Sequence, residues 1–265
     1  MSTNINFKKS LGLGSETRID LPALDASYKA ILDRAIFLGY PLPTTDQQAK
    51  QNTFLVTLKT IGVWNKLDVL YVFAQNGGSA FATINWKNPS ANQSTLINAP
   101  TFVNNGGFQG NGTSSYIDTN FNPATQGVQY TQNNASRYFF THAISGSGRF
   151  DGNNFANRNS MVRGLTNAQR INAGTNTSLV ALDLTAAVNT KSLHRTSATD
   201  ITAYNSTTGI STTQLSGAID SSNQWVLRSL SNYGAHTCAA YAMGASLIAE
   251  HTNFINAWNT YKSSL

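Results

Sequence analysis

The chain has 265 residues and carries little charge, because only 11% of its residues are Asp, Glu, Lys or Arg, against roughly 25% in an average soluble domain. Its length allows one large β domain with helical additions and a substantial buried core. Asn, Ser, Thr, Gly and Gln supply most of the polar positions, a composition more typical of extracellular or virion β proteins than of cytosolic enzymes.

The net charge raises the question of nucleic-acid binding, since 18 basic and 12 acidic residues give a formal charge of +6. Phosphate contacts need clusters of Lys and Arg. Lys8-Lys9 is the only adjacent basic pair, and the arginines from Arg137 to Arg170 are spread singly. We therefore do not expect a nucleic-acid partner, and interpret the charge as favouring solubility and attraction to anionic surfaces.

Cysteine content and hydropathy limit the cellular setting. Cys238 is the only cysteine, so an internal disulfide is excluded. The N-terminal residues lack the apolar run of a signal peptide, and no segment reaches the roughly 20 apolar residues of a membrane span. We expect no export by a standard signal, no membrane span, and assembly in a reducing cytoplasm.

The N-terminal quarter of the chain is predicted to be helical after an extended arm of about 20 residues. Apolar residues at helical spacing predict one amphipathic helix over Ala23 to Leu38. A second begins at Thr45-Asp46-Gln47-Gln48, which has the order of a capping box, and ends at Gly62.

The periodicity changes from helical to strand-like at Leu67. We place a boundary near residue 65, which divides the chain into an N-terminal arm and helical attachment segment, 1–64, and a β domain with a closing helix, 65–265. Beyond this boundary we predict further strands around residues 80–86, 114–121, 136–143, 160–173, 178–184, 192–205, 224–229 and 238–244. Short strands separated by Gly, Asn and Ser turns predict a two-sheet sandwich or jelly roll. An apolar stripe from Ile248 to Tyr261 predicts the closing helix.

The stretch Gly106 to Pro123 is the most informative part of the sequence. Its glycines permit tight turns, and its Asn-Pro ends a strand. Between them Ser115, Ile117, Thr119 and Phe121 alternate with Tyr116, Asp118 and Asn120. This pattern predicts one half-buried strand.

The residue sequence of this stretch closely resembles the opening of the concanavalin A-like (laminin-G-like) jelly-roll domains of phage tail, fibre and other virion proteins. Residues 53–67 resemble the helix and Trp-containing junction that precede this jelly roll. Asn85 to Pro89 resembles a strand end of the family, with Trp86 and Asn88 in place of Leu and Asp. Tyr241 to Gly244 is similar to its last strand. The resemblance spans about residues 45–265 and implies a mainly β, concanavalin A-like fold and a place in the virion, as a fibre, tail or head-decoration subunit.

Catalytic chemistry is not predicted. A glycoside hydrolase needs two carboxylates across the scissile bond, but the two glutamates, Glu16 and Glu250, lie in the arm and the last helix. The aspartates near predicted strands or turns are isolated from one another: Asp118, Asp151, Asp183 and Asp220. The turn at residues 145–148 lacks the spacing of a nucleophile elbow. We therefore predict no enzyme and no catalytic residues, and keep glycoside hydrolase as a third hypothesis.

The sequence signals for metal and ligand sites are equally weak. The histidines fit no zinc spacing; they are His142, His194, His236 and His251. Asp151-Gly152-Asn153-Asn154 is compatible with a calcium ligand set or with a plain Asx turn. The aromatic residues with polar neighbours that suit sugar binding are Trp86, Tyr116, Tyr138, Tyr204 and Trp225. Most rings of a sandwich must fill its core, so we predict no cofactor, no metal and no single site residue.

The leading hypothesis is therefore a non-enzymatic phage virion structural protein, and the alternative is a carbohydrate-binding receptor-recognition module that contacts a host-surface glycan. The apolar faces of the predicted helices exceed what the β domain covers, which indicates an interface. We expect the chain to form a homo-oligomer or a complex with another virion protein, held together mainly through residues 20–62. A trimer is the assembly that the resemblance favours.

Overall fold

A computed structural model of the chain describes residues 24–146, 148–154, 160–162, 169–173 and 188–265. The helices are α1 (Ala26–Phe37), α2 (Thr45–Thr60), α3 (Val63–Lys66), α4 (Gly78–Ala82), α5 (Pro123–Gln126) and α6 (His251–Ser263). The strands are β1 (Leu67–Val72), β2 (Thr95–Ile97), β3 (Thr101–Val103), β4 (Gly107–Gln109), β5 (Tyr116–Asp118), β6 (Ala135–Ala143), β7 (Arg149–Gly152), β8 (Ser160–Val162), β9 (Lys191–Arg195), β10 (Asp200–Asn205), β11 (Thr208–Thr213), β12 (Trp225–Val226), β13 (Arg228–Ser229), β14 (Asn232–Tyr233) and β15 (Thr237–Gly244). None of the helices in these ranges has the length and hydropathy needed to cross a membrane.

The strands form two main antiparallel sheets. The larger has eight strands in the order β11-β10-β9-β6-β15-β4-β3, with β1 also paired to β15. The smaller has the order β2-β5-β12-β7-β8, and β13 and β14 form a separate hairpin. The predicted mainly β sandwich with helices at both ends is confirmed.

One face of the larger sheet packs against the smaller sheet. Phe139 on β6 meets Phe150 on β7 with ring centroids 5.0 Å apart, and Ile117 on β5 is fully buried in the same cluster. Alternation along each strand supplies these inward residues. We call this the inter-sheet layer.

The other face of the larger sheet is covered by α1, α2 and α6. Phe140 on β6 lies 4.6 Å from the Trp258 ring on α6, and Phe54 on α2 stacks on Tyr261 at 5.0 Å. Tyr28 of α1 is buried in the same cluster. We call this the helix-covered layer.

Several predicted elements are confirmed, and one boundary is corrected. The first helix, the strand at Leu67, the strands near 136–143 and 238–244 and the closing helix are all present. Gly62 adopts a left-handed φ of 78° just after α2, as expected of a C-terminal stop. The N-cap of α2 is Thr44 and not Thr45, because the Thr44 hydroxyl accepts from the Gln47 N–H at 3.3 Å. Gln47 Oε1 accepts from the Asn76 N–H instead of closing the box.

The predicted strand at 80–86 is wrong. Residues 78–82 form α4, and Thr83 and Ile84 continue it with turn hydrogen bonds to Ala80 and Phe81. Residues 81–86 are all buried, and a short, continuously buried run of this kind does not distinguish a strand from a short buried helix.

Two further predicted strands are interrupted. The span 192–205 contains β9 and β10, separated by a turn in which Ser197 Oγ accepts from the N–H groups of Thr199 and Asp200. The span 224–229 is broken at Leu227, which has a positive φ of 68°. β8 covers the start of the predicted 160–173 strand. The predicted strand at 178–184, Glu16 and Asp183 lie outside the described residues.

Candidate functional site

The outer face of the smaller sheet carries partly exposed aromatic and polar side chains. Along β5, Ser115, Ile117 and Thr119 are buried, whereas Tyr116 and Asp118 are partly exposed, which confirms the alternation predicted from sequence. Trp225 on β12 pairs directly with Asp118. Because directly paired residues share a face of a sheet, the Trp225 side chain lies on the outer face too.

A change in backbone direction adds an arginine to this face. Val226 and Leu227 are consecutive and both fully buried, and Leu227 has a φ of 68°. Its N–H donates to the Phe150 carbonyl at 2.7 Å, which fixes this conformation. The alternation therefore slips by one residue, as in a bulge, and Arg228 joins Trp225 on the exposed side.

The short hairpin of β13 and β14 supplies a further ring, since Tyr233 pairs with Arg228. The Arg228 guanidinium carbon lies 4.1 Å from the Trp225 ring centroid, 4.5 Å from that of Tyr116 and 5.1 Å from that of Tyr233. The Tyr116 centroid is 5.3 Å from Trp225 and 6.2 Å from Tyr233. We name this group the aromatic–arginine patch: Tyr116, Trp225, Arg228 and Tyr233.

Asp118 orients the patch from its edge. One carboxylate oxygen accepts from Trp225 Nε1 at 3.1 Å, and the other accepts from Asn223 Nδ2 at 3.0 Å and from the Asn120 N–H at 2.8 Å. These bonds fix the plane of the indole, because its one donor has a charged acceptor. Asp118 is thus committed to positioning.

Arg228 is held at one nitrogen. Its Nε donates to the Leu230 carbonyl at 2.6 Å. Neither terminal nitrogen has a hydrogen-bond partner, and no carboxylate pairs with the guanidinium, among the residues that the structure describes. The patch thus combines aromatic rings with an unused planar donor group.

Such an arrangement is suited to binding a polar ligand that also has an apolar face. Aromatic rings offer large contact areas, and donors around them fix the orientation of the bound group. Sugars have this dual character, since one face carries C–H groups and the rim carries hydroxyls.

Of the five aromatic candidates from the sequence, the structure brings Tyr116 and Trp225 together. Trp86 and Tyr138 are buried in the helix-covered layer, and Tyr204 stacks on His251 at 3.9 Å. Sequence reasoning missed Arg228 and Tyr233. A Trp, an Arg and a Tyr within residues 225–233 were the available signal, but only the turn at Leu227 and the hairpin place them together.

The aspartate considered as a calcium ligand lies inside the protein. Asp151 is fully buried, pairs with Arg137 Nη1 at 2.9 Å and accepts from the Tyr241 hydroxyl at 2.7 Å. Burial raises the pKa of this carboxyl, while Arg137 acts in the opposite direction. Its two oxygens therefore serve an internal network, and no group of three potential metal-ligating side chains occurs in the described ranges.

Two of the other acidic candidates and two of the histidines make structural contacts. Asp220 accepts from the Asn153 amide, and Glu250 pairs with Lys66 at 2.7 Å. His194 and His251 meet edge to face with centroids 5.3 Å apart, a contact that their sequence spacing did not predict. Burial lowers the pKa of both histidines.

Clefts also occur on the helical side of the described part of the chain. One of about 310 Å³ runs between α2 and α6 above Phe54 and Tyr261. Another, of about 260 Å³, lies beside α6 and is lined by His142, Trp258 and Lys262 among others. Neither groups three partly exposed rings around a guanidinium whose terminal nitrogens lack a partner within the described residues, so the patch is the stronger candidate.

Comparisons with known proteins give only distant similarities. Neither a protein-family model nor a curated protein matches the sequence. One solved structure is domain 4 of AbnA, an extracellular GH43 arabinanase from Geobacillus stearothermophilus, in complex with arabinotriose. It is 10% identical over 72% of this chain and 98% of that domain, with a TM-score of 0.37. A sialidase from Trypanosoma rangeli is 9% identical over 81% of this chain and 40% of its own length, with a TM-score of 0.40. At this distance neither similarity carries an argument about function.

Proposed function

We propose that the chain is a non-enzymatic glycan-recognition module and that the aromatic–arginine patch is its binding surface. The observation that carries this proposal is the grouping of three partly exposed rings around one guanidinium, at 4.1 to 5.1 Å. The rings provide stacking area and Arg228 provides donors for a sugar oxygen.

The chemistry of Asp118 supports binding without turnover. Glycoside hydrolysis uses two carboxyl groups, one of which donates a proton to the leaving oxygen. Within the described ranges, Asp118 is the carboxylate that contacts the patch, and its oxygens already accept three hydrogen bonds. Release of new reducing ends from a bound polysaccharide would contradict this part of the proposal.

The setting that we propose is a phage virion, as a fibre, tail or head-decoration subunit assembled in the host cytoplasm. Low charge and the resemblance of the Gly106 to Pro123 stretch support it. Mass spectrometry of purified particles is the test, and particles that lack the protein would contradict it.

We also propose that the helical segment attaches the module to its own copies or to another virion protein. Ile36 and Phe37 at the end of α1 are 62% and 78% exposed, and apolar residues of this size in a row support an interface. Light scattering on the full chain should give a mass above the 28.5 kDa of one copy, and Ile36→Asp should lower it. A monomer in the absence and presence of other virion proteins would contradict attachment through α1.

The glycan proposal is tested with the full chain on a glycan array, followed by titration calorimetry with soluble oligosaccharides, which reports affinity per site. Trp225→Ala should weaken binding at least fivefold, the usual effect of removing a central aromatic contact. Val128→Ala is the control, because it removes apolar atoms from a 77% exposed side chain that belongs neither to the patch nor to the helical segment, and it should leave glycan affinity unchanged.

Equal affinity of wild type and Trp225→Ala for every glycan that binds would place the site elsewhere. No binding across the array and the host's own polysaccharides would contradict the proposed function.

A further inference from the structure

We infer that the aromatic–arginine patch selects sugars that carry a carboxylate, with Arg228 as the specificity-determining residue; this inference rests on the proposed glycan-recognition function. It goes beyond that proposal because aromatic stacking alone serves neutral and acidic sugars equally. The two ideas can therefore fail separately.

The first observation is that Arg228 differs from the buried arginines of this chain. Arg137 has Asp151 as its ion-pair partner. Arg195 is buried and donates to protein oxygens from all three of its nitrogens, mainly on Ile171 and Gln214. Arg228 uses only Nε, and within the described part of the chain its terminal nitrogens have no partner. A partly exposed guanidinium with two free nitrogens is ready to pair with an anion from outside.

The second observation is the backbone on both sides of Arg228. Leu227 and Leu230 have φ values of 68° and 53°, a region that leucine seldom adopts because its Cβ crowds the backbone. Leu227 is held by Phe150 and Gly234 through backbone hydrogen bonds, and Leu230 accepts from Arg228 itself. Strained backbone persists where surrounding contacts over-determine it, often at binding sites. The position of Arg228 is thus set by the fold.

The third observation is chemical. A planar guanidinium with Nε occupied still offers parallel donors on its outer edge, which match the two oxygens of a carboxylate. The rings attract the guanidinium through their quadrupoles and leave its net positive charge unchanged. Among the residues that the structure describes, no acidic group competes for it, since Asp118 is bound to Trp225, Asn223 and Asn120. A neutral sugar would engage the same nitrogens only through hydroxyls, which form weaker bonds.

The test compares each acidic oligosaccharide with its carboxyl-reduced form, which keeps the sugar stereochemistry and removes the charge. The probes are a trisaccharide of galacturonic acid and sialyl-lactose, with a 6-sulfated galactose trisaccharide as a second kind of anion. Titration calorimetry with the wild-type chain should show at least one acidic probe binding roughly tenfold more tightly than its reduced form, the step expected when a charge-assisted hydrogen bond replaces a neutral one.

Three variants locate the effect. Arg228→Gln should bind the acidic and reduced forms equally, and Arg228→Lys, which keeps the charge without the planar fork, should retain only part of the preference. Arg34→Gln is the matched control. It removes the same charge from an arginine that lies over a single ring, Phe37 on α1 at 5.4 Å, and should keep the full preference. Thermal melts of all variants check folding, and Arg228→Met, which keeps the stem of the side chain, replaces Arg228→Gln if the latter unfolds.

The outcomes separate the two proposals. Equal affinity of the wild type for acidic and reduced probes, with Trp225→Ala weakening both, would overturn the carboxylate inference and leave glycan recognition standing. An equal gain for the sulfated probe would overturn the assignment to carboxylates. A preference that survives in Arg228→Gln would overturn the role of Arg228. No binding of any probe or array glycan would overturn both proposals together.

Discussion

Both faces of the larger sheet carry fully buried residues, but the two faces are built from different chemistry. The helix-covered layer is mostly apolar and aromatic, as in the contact of Phe140 with Trp258. The inter-sheet layer adds charged groups to its apolar residues, and Arg137 and Asp151 are both fully buried there. The difference shows that one strand, β6, can serve two cores. Phe140 lies in the mostly apolar helix-covered layer, whereas Arg137 lies in the ionic network between the sheets.

The two layers should therefore respond differently when a residue is removed. Deleting apolar atoms loses transfer free energy and leaves a cavity. Deleting one partner of a buried ion pair leaves an uncompensated charge, which is costlier than the pair's own net contribution to stability. The following substitutions compare these effects, starting with the largest.

Arg137→Met should lower the free energy of unfolding by about 4 kcal/mol, because Asp151 would remain buried without its ion-pair partner. Only hydrogen bonds from the Tyr241 hydroxyl and the Met161 backbone would then stabilise its charge among the described residues. Urea denaturation is the measurement. Adding Asp151→Leu to the same chain should recover most of the loss, since an apolar pair can replace a buried ion pair at little cost. A double variant no more stable than Arg137→Met would show that the network contributes through its shape and not through its charge balance.

Leu58→Ala in the helix-covered layer should lower the free energy of unfolding by about 3 kcal/mol, since Leu58 is fully buried on α2. Val56→Ala on the same helix is the control. Val56 is 42% exposed, so this change should have a far smaller effect in the same urea experiment. Similar losses for both would mean that α2 is not packed on the sheet as described.

The helix-covered layer and the inter-sheet layer also differ in how much of each could be predicted from the sequence. The helix-covered layer could be predicted from periodicity, because each of its three long helices has apolar residues at helical spacing. Ile31 on α1, Leu58 on α2 and Trp258 on α6 are examples of these residues. The inter-sheet network does not, because an arginine on a strand predicts an exposed position unless its partner is known. Asp151 is 14 residues from Arg137 and belongs to the other sheet.

The candidate site was predictable in part for a similar reason. Alternation along residues 115–121 predicted that Tyr116 shares a face with Asp118 and Asn120. Trp225 is more than 100 residues away and joins Tyr116 only through strand pairing. Arg228 requires, in addition, the left-handed backbone of Leu227, which no propensity of leucine predicts.

A weaker effect concerns the polar exception within the helix-covered layer. Tyr138 on β6 and Tyr204 on β10 surround His194 and His251, and His251 ties α6 to the Ser206 carbonyl at 2.8 Å. Burial lowers the pKa of both histidines in the folded chain, so the unfolded chain binds more protons below about pH 6.5. Stability from this cluster is therefore complete above that pH and is lost as the pH falls. The slope is at most about 1.4 kcal/mol per pH unit for each histidine.

Urea denaturation at pH 7.5 and 5.5 measures this loss. His251→Gln combined with His194→Asn removes both titrating rings, and the double variant should show a shallower pH dependence than the wild type. An unchanged slope would assign the acid sensitivity to other groups.

The smallest expected effect comes from an ion pair outside both layers. Lys29 and Asp33 on α1 lie 2.6 Å apart, closer than the atoms of the Arg137–Asp151 pair at 2.9 Å, but their side chains are 64% and 56% exposed. Water screens such a pair, and its formation immobilises two side chains, so Asp33→Asn should change the free energy of unfolding by no more than about 0.5 kcal/mol. The measurement is the same urea titration at low and at high salt, with a still smaller difference expected at high salt. If Asp33→Asn lowered the free energy of unfolding as much as Arg137→Met does, the distance between the paired atoms and not their burial would determine how much these ion pairs stabilise the protein. We expect the opposite, because a buried charge that loses its partner has no water to replace it.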